Sequence, residues 1–74
     1  MKDIYTILDI VCERIEEIRI EKNWTIKQFA DFVKLPRTTV NSWLLKKRTP
    51  RIDMLYQIAD SLNVTIDYLV GREN

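Results

Sequence analysis

Residues 25–44, TIKQFADFVKLPRTTVNSWL, decide the fold. Thr25 is a capping residue, Gln28 stands three positions on to return the bond, and Trp24 and Phe29 flank the pair as a hydrophobic staple. This combination marks the start of a helix. Phe29, Ala30 and Val33 supply its inward face. Lys34, Leu35 and Pro36 break the pattern, because a residue before proline is pushed out of the helical region. Pro36, with its fixed φ, suits the start of a second helix. Along that helix Val40, Trp43 and Leu44 recur at helical spacing, which leaves Arg37, Thr38, Asn41 and Ser42 on the opposite side. The stretch therefore predicts two short helices joined by a tight turn, the second presenting a polar face.

Working outward, Ile4, Ile7, Leu8, Val11, Ile15 and Ile18 fall on one stripe at ~100° per residue, with Glu13, Glu16, Glu17 and Glu21 away from it. This first helix begins either at a Thr6–Asp9 capping box stapled by Tyr5 and Ile10, or earlier, with Asp3 as cap and Ile4 inside. Asn23 closes it. Downstream, Lys46 to Thr49 form a basic loop, and Pro50 suits the first turn of a fourth helix with Met54, Leu55, Ile58, Ala59 and Leu62 inward. Asp53 near its start favours the macrodipole. Thr65 caps a final helix of one or two turns bearing Ile66, Leu69 and Val70, and Gly71 ends it. Five helices, without repeat, linker or low-complexity segment, give an all-α chain. Trp24 and Trp43 are read as core, and Cys12 as a packed thiol.

Seventy-four residues, 46% of them hydrophobic, make one domain, residues 1–74, at the size where a single core supplies only ~3–5 kcal/mol. With no His and one Cys, the chain lacks the usual general base and cannot assemble a Cys/His zinc site. The expectation is therefore no enzyme, no metal and no cofactor. A lone Cys12 forms no internal disulfide, which points to a reducing, cytoplasmic setting. Asp3 and Asp9 interrupt the apolar start, so it is not read as a signal peptide. No run approaches the ~18 apolar residues of a membrane span. The net charge of +1 hides an asymmetry: from Phe32 to Ile52 there are six basic residues and no acidic one, while the remainder carries a net −5. A polyanion should meet this chain through one patch.

From Arg14 to Val70 the sequence resembles the phage-repressor helix-turn-helix family, of the Cro/repressor or XRE type. The resemblance is carried by Ile15, Ile18 and Arg19 in helix 1, by Thr25, Phe29, Ala30 and Val33 in helix 2, by Leu35 in the turn, and by Thr39, Val40 and Trp43 in helix 3. Pro50, Leu55, Ile58, Ala59, Leu62, Val64, Thr65, Asp67, Tyr68 and Leu69 complete it in order and without a gap. It implies a compact five-helix, lambda-repressor-like DNA-binding domain with the helix-turn-helix at helices 2 and 3. The family core covers about residues 14–70, with residues 1–13 an N-terminal extension of helix 1.

The resemblance also implies roles. By position Arg37, Thr38 and Ser42 match the family's base-contacting sites, with Asn41 a further candidate for adenine or a phosphate. Lys46, Lys47, Arg48 and Arg51 fit phosphate contacts. The family most often pairs through its C-terminal end, here Thr65, Ile66, Tyr68, Leu69 and Val70, and the helix 1 extension with Ile10 offers a second surface. Four positions depart from the family's pattern. Ile26 replaces a phosphate-binding Gln, Lys34 a turn Gly and Pro36 a Ser cap, while Arg19 faces Leu44 where a Glu is common. The function implied is a sequence-specific transcriptional regulator, a repressor, that reads duplex DNA as a homodimer, with no membrane and no small-molecule effector. The alternative is a protein-interaction module, an antitoxin or adaptor, that keeps the fold.

Overall fold

The computed structural model describes residues 4–72. Its helices are α1 (Ile4–Glu21), α2 (Ile26–Val33), α3 (Arg37–Leu44), α4 (Ile52–Leu62) and α5 (Ile66–Leu69), and no strand occurs among the described residues. α1 takes the earlier of its two starts, with Thr6 already helical; Asp3 and the side chains of Tyr5 and Thr6 lie outside the described residues. At α2 the capping box is complete: the Gln28 amide donates to Thr25 Oγ1 at 3.1 Å and the Thr25 amide to Gln28 Oε1 at 2.8 Å. Trp24 staples as expected, its ring 6.2 Å from Phe29, and stacks obliquely on Phe32 at 4.8 Å.

The two prolines stand before their helices and not in the first turn, Pro36 by one position and Pro50 by two. Pro36 precedes α3 as its cap, φ −61 and ψ 140, and offers no side-chain bond. Pro50 is buried and stands outside α4, which Arg51 caps with an extended backbone, ψ 166. Burial of the Pro50 ring lets it pack, and the helix begins only when the chain has turned past it.

All five helices stop in the same way. A residue of positive φ follows each one, and the next amide reaches back five residues to a carbonyl of the last turn: Trp24 to Arg19, Leu35 to Ala30, Lys47 to Ser42, Val64 to Ala59 and Arg72 to Asp67, at 2.8–3.0 Å. Only the last stop uses glycine, Gly71; the others use Asn23, Lys34, Lys46 and Asn63, with φ of 57 to 61. Lys34 therefore holds the turn that glycine holds in the family, at a cost of about 1–2 kcal/mol for its Cβ. A strut supports that turn: Gln57 Nε2 of α4 donates to the carbonyls of Val33 (2.7 Å) and Lys34 (3.1 Å).

Phe29, Val33, Val40, Trp43, Ile15, Ile58, Val11 and Leu69 form the fully buried centre, to which every helix contributes. Burying such side chains yields ~1.5–3 kcal/mol each, which sets the angle between α2 and α3 more firmly than local propensity could. Arg19 finds its partners within its own neighbourhood. Nε and Nη2 bond Glu16, and Nη1 donates to the Trp24 carbonyl at 2.8 Å, so the arginine ties α1 to the start of α2. Further back along α1, Arg14 lies 4.8 Å over the Tyr68 ring of α5, and a Cβ on Gly71 would meet Ile10 at 2.8 Å. The N-terminal turns of α1 and the C-terminal segment thus adjoin.

Candidate nucleic-acid interface

α3 presents its polar face because Val40 and Trp43 are drawn into the core, Trp43 with only 1% of its surface exposed. Arg37 and Thr38 are exposed, while Asn41 and Ser42 are half-buried at the edges of the same face. Between α3 and the loop that follows runs a groove of about 410 Å³. Thr38, Thr39 and Ser42 line it from the helix, Arg48, Thr49 and Arg51 from the loop, and Trp43 and Met54 from below. Ser42 joins the two walls. Its hydroxyl donates to the Thr39 carbonyl at 2.6 Å, and its own carbonyl accepts from the amides of Lys47 (2.9 Å) and Arg48 (3.3 Å).

The predicted basic residues separate into two sets. Arg48 and Arg51 stand in the groove wall and Lys47 is exposed in the loop. Lys46 turns to the other side of α3, where its ammonium is 3.8 Å from Glu13 of α1. There it borders a second groove, of about 280 Å³, with Cys12 and Leu44 below and Glu13, Glu16 and Glu17 above. Cys12 is buried, and desolvation pushes its thiol up from the usual range, with Lys46 pulling partly the other way. Arg51 is 3.5 Å from Asp53. Among the described residues Lys34, Arg37, Lys47 and Arg48 take part in no ion pair, whereas Arg14 and Arg19 of α1 both do.

Residues with no site role assigned from the sequence also belong here. Thr39, Thr49 and Met54 line the groove, and Leu45, 57% exposed, stands seven positions after Thr38 on the outward face. Helical spacing from Thr38 was the signal for Leu45; nothing local announces Thr49 or Met54.

At the C-terminal end Leu69 is 0% exposed. It belongs to the chain's own core and offers no surface to a second copy, because a one-turn helix aims its last apolar residue inward. Thr65 accepts the Tyr68 amide at 3.0 Å, and Ile66, Tyr68 and Val70 are half-buried against the core.

The sequence from residue 15 to 69 matches the helix-turn-helix family. The chain belongs to that family. This helix-turn-helix protein is 33% identical over 61 residues to the HTH-type transcriptional regulator AnsR of Bacillus subtilis (strain 168), an alignment covering 82% of this chain and 53% of that protein. It is likewise 33% identical over 61 residues to the HTH-type transcriptional activator BcrR of Enterococcus faecalis, covering 82% of this chain and 30% of that protein. The chain thus spans about half the length, or less, of these curated relatives. No solved structure matches it. Among the described residues of this helix-turn-helix protein, no helix is long and apolar enough to cross a membrane.

Proposed function

We propose that the chain is a sequence-specific regulator of transcription that docks α3 in the major groove of duplex DNA. One observation carries the reading. The outward face of α3 and the loop beside it hold hydroxyls and the cations Arg37, Lys47 and Arg48, which take part in no ion pair among the described residues, with no acidic residue from Phe32 to Ile52, while α1 pairs Arg14 and Arg19 internally. A duplex supplies the missing negative charge at the spacing of its phosphates. Arg37, Thr38, Asn41 and Ser42 face the base edges, with Arg37 suited to guanine O6 and N7. Lys47, Arg48 and Arg51 hold phosphates, and Lys46 contributes less while Glu13 holds it. The names of the two relatives, a transcriptional regulator and a transcriptional activator, support a role in transcription. In this reading the bound domain acts by occupying its site, and the proposed outcome is repression.

Counterion release provides the test. Affinity for a duplex selected from random sequence falls with salt at a slope of roughly −0.9 per phosphate neutralised; Lys47→Ala flattens the slope by about 1, and Lys46→Ala by less. A salt-independent affinity, or no duplex retained by the selection, overturns the reading in favour of a protein-interaction module.

A single helix-turn-helix covers few base pairs, so we also propose a symmetric homodimer on half-sites about 34–36 Å apart. Because Ile10 touches Gly71, the C-terminal surface of Thr65, Ile66, Tyr68 and Val70 and the helix 1 extension form one continuous candidate face. Sedimentation on a palindromic site gives two chains per site; one chain at saturation contradicts the homodimer.

A further inference from the structure

Resting on the DNA-binding reading above, we infer that Ser42 reads its base as a fixed hydrogen-bond acceptor and so selects a base that places an exocyclic amine, adenine N6 or cytosine N4, at its position in the major groove. The polarity follows from one bond. Ser42 Oγ lies 2.6 Å from the Thr39 carbonyl oxygen, and a carbonyl has no proton to give, so the serine proton points along that line. What the hydroxyl turns toward the groove is its lone pairs. Turning the proton outward would break a short bond, and the half-buried side chain is held in place by the loop amides that its carbonyl accepts.

The rest of the groove wall gives this acceptor its discriminating value. Arg48 and Arg51 are donors only. The hydroxyls of Thr38 and Thr49 make no hydrogen bond among the described residues, so each rotates to give or accept as the partner requires. Among the described residues Ser42 is therefore the groove hydroxyl whose polarity is already set, and it is set as an acceptor among fixed donors. Guanine O6 or thymine O4 opposite it would bring oxygen against oxygen, whereas the amine of adenine or cytosine completes a bond.

The experiment uses duplexes selected by the wild-type chain, with single adenines replaced by purine, which lacks N6, or single cytosines by 2-pyrimidinone, which lacks N4. At one position in each half-site, wild type binds the analogue roughly fivefold more weakly, the effect of losing one hydrogen bond. Ser42→Ala binds the parent duplex more weakly by a similar factor and is indifferent to the analogue at that position, which cancels any effect of the analogue on base pairing. Ser42→Thr keeps a hydroxyl and its bond to the preceding turn, and retains the sensitivity; so does Arg37→Ala, whose own loss falls at another base pair. The inference fails alone if duplexes bind but wild type and Ser42→Ala respond alike to every analogue, or if the preference lost in Ser42→Ala was for guanine or thymine. It fails together with the DNA-binding reading if no duplex is bound at all.

Discussion

α2 and α3 are both eight residues long, stand side by side and enclose the same turn, yet one is closed and the other open. α2 has a reciprocal capping box, a Lys27–Asp31 pair at 2.9 Å on its outer face, and three buried side chains. α3 has a proline cap without a side-chain bond, two buried side chains and, among the described residues, no ion pair to its one charged residue, Arg37. The difference is one of destination. A helix whose ends and charges are satisfied inside the chain serves as scaffold, and one left open holds its polar groups for something outside.

The comparison breaks most readily at Phe29. Phe29→Ala should cost about 3–5 kcal/mol, as much as the whole core of so small a domain supplies, and urea melts should show a largely unfolded chain. If α2 were not scaffold, the melt would barely move. On α3 the large effect should fall on binding. Arg37→Ala should cost ~1–3 kcal/mol on the preferred duplex and relax one base pair, with stability unchanged within ~0.5 kcal/mol. Equal weakening on preferred and random duplexes would make Arg37 a phosphate contact and shift the reading register. The smallest effects sharpen the contrast at the two ends of α2, in opposite directions. Thr25→Ala should lower stability by about 1 kcal/mol through loss of the cap, and Lys34→Gly should raise it by up to about 1 kcal/mol, the left-handed strain relieved less the entropy of glycine. Both are read in thermal melts.

The elements themselves were legible because each is announced by neighbours in sequence. The Thr25–Gln28 box, the Asn23 and Gly71 stops and the core periodicity are all local. The contacts that needed the folded chain were not. Lys46 reads as one cation in a basic run, and only the crossing of α1 over the end of α3 shows that Glu13 holds it. Gln57 looks like one more surface amide until α4 sets it against the carbonyls of Val33 and Lys34, 24 and 23 residues away. Leu69 reads equally as core or as interface, because a single helical turn has too few positions to distinguish one face from another; packing decides. At the candidate site the residue types of α3 were visible, and the bond that sets the polarity of Ser42 was not.

Trp43 carries a practical consequence. Its indole underlies the groove between α3 and the loop, while Trp24, the second tryptophan, stacks on Phe32 beside Lys22 at the start of α2. The chain thus holds two natural fluorophores in unlike settings: one beneath the surface that an occupant would cover, the other at the far end of the scaffold. Replacing either by phenylalanine would leave a single emitter, so light from the groove and light from the scaffold can be recorded separately without attaching a dye.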